Sequence, residues 1–146
     1  MNAARAVSRV QSPARTEAIS HRGQVVCMIV RADPMPDETT FYTPYHFNLQ
    51  VGKIVYPAGS EIPRHTHRSV IRQVVGTSEV LVVQKGRMIV DIYADDDQSF
   101  LCSREVGSGD VVVLLSAGHG FRLLEDTVLL EVKQGPYVGV HEKELF

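Results

Sequence analysis

Two histidines lie two residues apart near the middle of the chain, in the sequence IPRHTH, and their type and spacing are suited to metal chemistry. Side chains at positions i and i+2 of a strand point to the same side of a sheet, so His65 and His67 would present two imidazoles on one face. Glu79 follows further along the chain, and His119 lies between two glycines in the sequence GHGF. Imidazole and carboxylate groups are donors that divalent transition metals accept. The pattern therefore predicts a metal site.

Length and composition indicate one small domain around that site. The chain has 146 residues, of which 44% are hydrophobic and 22% are charged, as is ordinary for a globular domain with one core. A net charge of −2 gives no broad basic surface for nucleic acid or an anionic membrane. No apolar run approaches the ~18 residues of a transmembrane helix. We therefore expect a small-molecule partner, and neither nucleic acid nor a membrane.

The first 20 residues are expected to form a flexible N-terminal segment. They carry Arg5, Arg9 and Arg15 without an apolar stretch, which argues against a secretory signal. A transit peptide shares this basic character, but a frayed terminus is the preferred interpretation. One weak helix before residue 20 is the only helix that the pattern allows.

Two cysteines bear on the compartment. Cys27 and Cys102 lie in separate apolar runs and lack CxxC spacing. This spacing argues against a disulfide framework or a structural zinc site. We expect both to be buried and reduced, in a cytoplasmic protein.

The rest of the chain is predicted to form a succession of short strands. Apolar runs rich in β-branched residues alternate with turns that contain Gly, Pro and Asp. The predicted strands span residues 24–30, 47–56, 62–67, 79–84, 87–93, 100–105, 111–115, 121–124 and 127–133. Lys85-Gly86 is predicted to form the turn of a hairpin. Short strands at this spacing are typical of an all-β antiparallel sandwich or barrel.

The histidines and the following glycines resemble the first motif of the cupin superfamily of β-barrels. That motif has Gly, five residues, His-x-His, three or four residues, Glu, six residues and Gly. Here five residues separate Gly59 from His65-Thr-His67, and six separate Glu79 from Gly86. Eleven residues separate His67 from Glu79, which is longer than the family pattern.

A second stretch, GDVVVLLSAGHGF at 109–121, is similar to the second cupin motif. It has the glycine, the strand and the histidine, His119. The usual proline is absent, the gap from glycine to histidine is shortened, and Leu123 stands where the family has Asn. The resemblance covers residues 45–134. It implies a single-domain cupin-type double-stranded β-helix, or jelly-roll barrel, over residues 21–134.

The resemblance also implies a ligand set for one metal. Cupins commonly hold one divalent transition metal through three histidines and one glutamate, which would be His65, His67, His119 and Glu79. Fe, Mn, Ni, Zn and Cu all suit such ligands. A lengthened loop at 68–78 can absorb the extra residues without moving Glu79. If it does not, the site would have three histidines and a water in place of the carboxylate.

The C-terminal tail, residues 135–146, is expected to pack on the barrel or on a second subunit through Val138, Val140, Leu145 and Phe146. Cupins often pair through their sheets, so the resemblance implies a homodimer. The strand 24–30 is a candidate for edge pairing across that dimer, because an uncovered edge strand invites pairing.

Other polar residues are weaker candidates. Glu131 and Lys133 share one strand face; facing inward they would form an acid/base pair, whereas facing outward they form a surface pair, which we favour. Tyr93 is a weak catalytic candidate that we expect to be a packed aromatic. Asp95-Asp96-Asp97 is expected to be a solvated turn, and His21, His46 and His141 to be surface residues.

Three arginines near the HxH pair leave two interpretations open. Arg64, Arg68 and Arg72 surround the pair in sequence. They either attract an anionic substrate or are simply exposed charge.

Three classes of function follow. The first is a mononuclear metalloenzyme acting on a small polar molecule, either a dioxygenase or a metal-assisted isomerase or hydrolase. The second is a metal-free sugar-nucleotide epimerase or isomerase, in which the histidines transfer protons, with Tyr93 as a possible acid. The third is a non-catalytic cupin that binds a small ligand or a metal. We favour the first, although fold and ligands do not determine the reaction.

Overall fold

The computed structural model describes residues 16–146, and these residues form an all-β, antiparallel structure. The ten strands are β1 (Thr16–His21), β2 (Gln24–Val30), β3 (Thr40–Phe41), β4 (Gly52–Lys53), β5 (Glu79–Lys85), β6 (Arg87–Tyr93), β7 (Phe100–Gly107), β8 (Val111–Leu114), β9 (Gly118–Leu123) and β10 (Val128–Lys133). One 3-10 turn, Val140–Glu142, follows the last strand. Residues 16–146 hold no helix long and apolar enough to span a bilayer.

The strands form two main sheets. A five-stranded sheet has the order β1-β2-β8-β5-β10, and a three-stranded sheet has the order β7-β6-β9. A two-stranded ribbon, β3-β4, stands apart from both. Over the described residues the sheets keep free edges at β1, β10, β7 and β9, so they do not close into a barrel. The predicted all-β antiparallel class is confirmed.

The main core lies between the two sheets. Ile29, Leu81 and Val112 from the five-stranded sheet pack with Val90 and Ile92 from the three-stranded sheet, and all five are buried. Alternate residues of a strand face opposite sides of its sheet. The inner face of β5 is therefore the face of Leu81 and Val83, and that of β6 is the face of Val90 and Ile92.

The outer face of the five-stranded sheet carries a second, smaller core. Met28, Val80 and Val113 are buried there, beneath apolar side chains of the loop at 42–51. Because β2 and β8 are covered on both faces, their sequences are nearly continuous apolar runs rather than alternating ones. This explains why β2 was predicted with its observed bounds.

The N-terminal part of the described chain differs from the prediction. Residues 16–20 belong to a strand, β1, and not to a weak helix, because Thr16–His21 pairs along its length with β2. The sheet thus begins before residue 21. Arg5, Arg9 and Arg15 lie outside the described residues. The proposed edge role of β2 is also wrong, since β2 lies between β1 and β8.

The predicted hairpin at Lys85-Gly86 is wrong as well, although both flanking strands are present. The partners of β5 are β8 and β10, whereas those of β6 are β7 and β9. Gly86 has φ +89°, a conformation that residues with a β-carbon rarely adopt. It turns the chain out of one sheet and into the other.

Two predicted strands are largely replaced by irregular backbone. Within 47–56 only Gly52–Lys53 forms a strand, and 62–67 forms none. The Gln50 side chain explains the first difference, because its Nε2 donates to the carbonyl oxygens of Pro44 (3.0 Å), Tyr45 (3.3 Å) and Phe47 (2.9 Å). These bonds satisfy the backbone as a folded loop instead of a sheet ladder.

Neither cysteine of the chain is in a disulfide. The predicted burial is confirmed for Cys27 and is wrong for Cys102, which is only half-buried. Cys27 is fully buried in β2, and burial raises the pKa of its thiol to about 12. Burial also raises the pKa of the half-buried Cys102 thiol. Because the thiolate is the reactive form, both thiols should be poor nucleophiles.

We therefore expect native protein at pH 8 to react slowly with Ellman's reagent, with Cys27 reacting only as fast as the protein unfolds. Addition of urea should release both thiols at once. A Cys102→Ser variant separates the two rates. Rapid labelling of that variant in the native state would contradict the burial of Cys27.

The C-terminal tail approaches the sheets through its last residue. The Phe146 ring lies edge-on to Tyr93, with centroids 5.2 Å apart, and also contacts Gly118. Val138, Val140 and Leu145, which were expected to pack with it, are exposed in the single chain, and Phe146 itself is 62% exposed. The tail therefore rests on the three-stranded sheet at the end where β6 stops and β9 begins.

Candidate functional site: a buried carboxylate–imidazole pair

Glu79 is a buried carboxylate at the start of β5. Its register partner on β8 is Leu114, and it shares the inner face with Leu81 and Val83. Only 8% of the residue is exposed. A buried carboxylate needs a partner of positive charge or a hydrogen-bond donor. The side chain that faces Glu79 therefore indicates what reaction or ligand the carboxylate could serve.

That group is His119, which comes from the opposite sheet. On β9, His119 pairs with Ile92 of β6, a core residue, and therefore points inward. Its Nε2 lies 3.3 Å from Glu79 Oε2. The two residues are 40 positions apart in sequence and meet because β5 and β9 lie in facing sheets.

The pair lies on the wall of a cavity of about 520 Å³, which we call the Glu79–His119 cavity. Ala117, Phe121 and Leu114 line it beside the pair, and the tail residues 142–146 line its other side. Thr77 Oγ1 donates to Glu142 Oε1 at 2.8 Å, which ties the tail to the residues before β5. The volume lies within the range of small-molecule sites, about 300–1,000 Å³.

Both ring nitrogens of His119 face oxygen atoms. Nδ1 lies 3.3 Å from the Ala117 carbonyl oxygen, an atom that can only accept. Nε2 faces the Glu79 carboxylate and donates to it when it carries a proton, whereas without that proton its lone pair is available to a metal. The pair is therefore suited to proton transfer or metal binding.

His65 and His67 are not brought to this pair. They lie in the irregular segment 54–78, where both are exposed, with ring centroids 5.4 Å apart. His65 Nδ1 lies 2.9 Å from the Pro63 carbonyl oxygen, the same relation to the residue two earlier that His119 has. The eleven residues at 68–78 are exposed or nearly so and form no strand that would align the segment with β9. The four-ligand site therefore stays a prediction.

A different group of potential ligands converges elsewhere, at the turn between β1 and β2. In the described part of the chain, His21, Asp96 and Asp97 are the three such donors that lie within 4.8 Å of one another. Arg22 Nη1 already pairs with Asp96 Oδ2 at 2.6 Å. Sequence reasoning missed this group because β1 was not predicted, so nothing placed His21 beside the aspartate turn.

Glu131 and Lys133 lie on the inner face of β10 and not on the outer one that was favoured. Their register partners are Leu81 and Glu79, both inward-facing. Lys133 Nζ lies 4.0 Å from Glu131 Oε1, and Lys133 is the more buried of the two. Because β10 is an edge strand, this inner face stays open to solvent beside Glu131.

Tyr93 packs among aromatic rings, as expected. Its ring lies edge-on to Phe100 (5.7 Å between centroids) and to Phe146 (5.2 Å). It alternates with Ile92, so it lies on the outer face of the three-stranded sheet and away from Glu79. The structure gives it no contact with the Glu79–His119 pair.

The three arginines near the HxH pair, Arg64, Arg68 and Arg72, are all exposed. His141 and His46 are exposed too, as predicted.

Two carboxylates with lowered pKa values, Asp91 and Glu17, form ion pairs outside the Glu79–His119 cavity. Hydrogen bonds from Arg122 and then Ser103 lower the pKa of Asp91 to about 2, on the outer face of β6. The Arg104 guanidinium likewise lowers the pKa of Glu17. The Asp91–Arg122 pair ties the neighbouring strands β6 and β9 together, whereas the Glu17–Arg104 pair joins β1 of the five-stranded sheet to β7 of the three-stranded sheet. Neither pair marks a reactive centre.

No model of a known protein family, no curated protein and no solved structure matches this chain. The site is therefore interpreted from its own geometry.

Proposed function

We propose that this protein is a small metal-binding cupin and a mononuclear metalloenzyme that acts on a small polar molecule. The observation that carries the proposal is the approach of His119 Nε2 to within 3.3 Å of the buried Glu79 Oε2, in a cavity of about 520 Å³. The order of the strands supports it. From β5 to β10, four of the five connections cross between the two facing sheets, and only β6 and β7 follow each other within one sheet; this pattern is compatible with a jelly roll.

The donor pair fits a divalent transition metal. Metal–nitrogen and metal–oxygen bonds of ~2.1 Å, at a near-tetrahedral angle, place two donor atoms about 3.4 Å apart, close to the observed 3.3 Å. One imidazole and one carboxylate suit Fe, Mn, Ni, Zn or Cu. Such a metal would supply a Lewis acid with open positions for substrate.

His65 and His67 would complete the ligand set if their segment added to the free edge of β9. In the described residues β9 pairs with β6 alone, and its inward-facing Phe121 and Leu123 are 37% and 62% exposed. A strand added at that edge would cover both side chains. It would also bring the two imidazoles to the face that holds His119.

Individual residues of the chain would then have separate roles in the site. Glu79 and His119 would hold the metal and so fix where the substrate binds beside it. The Ala117 carbonyl orients the His119 ring through Nδ1. Tail residues 142–146 line one side of the cavity.

A second candidate is metal-free proton transfer. It is favoured by the fact that Glu79 and His119 are already paired, whereas His65 and His67 lie outside the cavity. A carboxylate–imidazole pair of this kind can act as a general acid and base on its own. The two candidates differ in whether purified protein carries metal.

The decisive test is elemental analysis by mass spectrometry of untagged protein. We expect about one equivalent of a transition metal in wild type and at least ~100-fold weaker metal binding in His119→Ala, since even the loss of a group that supports a ligand costs ~10–100-fold. His67→Ala should lose metal as well. His141→Ala is the matched control, because His141 is exposed and lies outside the motifs.

Three outcomes separate the candidates. Metal retained in His67→Ala but lost in His119→Ala would exclude the HxH pair from the site. No metal in wild type, even after reloading, would move the proposal to proton transfer. Metal retained in all variants would show that the metal does not bind in the Glu79–His119 cavity.

A further inference from the structure

A second cavity lies on the other side of the five-stranded sheet, and we call it the outer cavity. It has a volume of about 480 Å³ and lies between the loop 42–51 and the ends of β2, β5 and β8. Ser78 and Leu115 line it, whereas their neighbours Glu79 and Leu114 line the Glu79–His119 cavity. Consecutive residues of a strand point to opposite faces, so the two cavities are distinct sites.

The outer cavity differs sharply from the first in charge. Its lining contains no Asp, Glu, Lys or Arg, and its polar side chains are Gln24, His46, Asn48, Ser78 and Ser116. The Glu79–His119 cavity, by contrast, is lined by four acidic residues and one lysine. A charged molecule in the outer cavity would lose hydration without gaining a counter-charge, which is costly. The lining thus selects an uncharged ligand that forms hydrogen bonds.

The apolar part of the lining favours a flat ligand. The Phe47 ring stands edge-on to His46, with centroids 4.7 Å apart, and Pro44 and Leu49 lie beside them. Aromatic side chains bind planar groups by stacking or by edge contacts. Six of the twelve lining residues are apolar and five carry hydrogen-bonding side chains, so the cavity offers both apolar contact and polar partners to a small molecule.

The loop that forms this wall is held in place before any ligand binds. Gln50 fixes three of its carbonyl groups, as described above. Val51 N donates to Thr43 Oγ1 at 3.0 Å, and Tyr42 N donates to Val51 O at 2.8 Å. A pre-formed wall lowers the entropic cost of binding.

We propose that the outer cavity binds an uncharged, planar small molecule with hydrogen-bonding groups, of the aromatic amide or nucleobase type. The proposal is independent of the metal site, since none of the proposed metal ligands lines this cavity.

Three probes of nearly equal size test the charge preference: benzamide, benzoate and benzylammonium. We would titrate each into the full chain and follow backbone amides by two-dimensional NMR. Benzamide, with about nine non-hydrogen atoms, should bind with a Kd on the order of millimolar, and the charged probes at least about threefold more weakly. The shifted amides should belong to residues 46–49, 115 and 116.

Matched variants test the location. Phe47→Ala should weaken benzamide binding by ~3–10-fold through loss of the aromatic contact. Tyr45→Ala is the control, since Tyr45 is 93% exposed and does not line the cavity. Asn48→Asp introduces a carboxylate and should shift the binding preference toward benzylammonium. This variant still tests the location of binding if Phe47→Ala disturbs the loop.

The proposal is overturned if all three probes bind equally, if none binds, or if the shifted amides lie elsewhere. Equal losses in Tyr45→Ala and Phe47→Ala, with no change of preference in Asn48→Asp, would also overturn it.

Discussion

Substitution of Gly86 by alanine is expected to lower the free energy of unfolding by about 2–5 kcal/mol. A β-carbon at Gly86 would clash with the Asp126 carbonyl oxygen and lie 2.9 Å from Thr127 Cα, which is backbone that cannot rotate away. The φ of +89° adds a strain of ~1–2 kcal/mol for any residue with a β-carbon, and overpacking adds ~1–3 kcal/mol. Urea unfolding followed by circular dichroism measures the change.

Gly76→Ala is the matched control for this substitution. Gly76 has a similar φ of +78°, but a β-carbon there would meet nothing within 4 Å. Its cost should therefore stop at the ~1–2 kcal/mol of backbone strain. Equal losses in the two variants would show that the contact with 126–127 does not hold the crossing between the sheets.

Asp110→Ala is expected to cost about 3–5 kcal/mol of unfolding free energy. The buried Asp110 carboxylate accepts from Ala32 N (2.8 Å), Gly107 N (3.0 Å) and Arg31 Nη1 (3.0 Å). Its removal leaves two backbone donors without their partner and leaves the partly buried Arg31 without its counter-charge. The same urea experiment measures the loss.

Two variants show whether the hydrogen bonds carry this effect. Asp110→Asn keeps one acceptor oxygen and should lose less than Asp110→Ala. Asp126→Ala, at an exposed aspartate, should change stability by no more than ~0.5 kcal/mol. A small loss in Asp110→Ala would mean that water replaces the carboxylate as the acceptor.

Strands with a strong local pattern could be predicted from sequence. The observed bounds of β2 and β6 equal the predicted ones, and β5 differs by one residue. Their β-branched runs end at Gly or at charged turns, so local propensity decides them. Sheet membership could not be predicted in the same way, because the turn at Gly86 is compatible both with a hairpin and with a crossing between sheets.

The loop and the N-terminal strand were missed for a different reason. Residues 47–56 have strand propensity, but the bonds of Gln50 to three carbonyl groups stabilise a loop that no local pattern reveals. The strand β1 depends on its pairing with β2, a tertiary interaction that outweighs weak local preference.

Part of the candidate site could be inferred from spacing. Glu79 and His119 were both singled out, and the structure places them 3.3 Å apart across facing strands. The position of His65 and His67 could not be inferred, because the long stretch after His67 loosens the register between that segment and β9. The outer cavity had no sequence signal, since its lining comes from four separate stretches of chain.

The pairing of β2 with β8 has a consequence for how the chain acquires its structure. Val30 and Val111 are register partners although 81 positions separate them. The entropy cost of closing so long a loop must be met before the contact between β2 and β8 contributes stabilising energy, and this slows folding. On the ribosome, β1 and β2 emerge early and must wait until β8 is synthesised. During that interval their apolar surface is exposed, and this is when aggregation competes most strongly with folding.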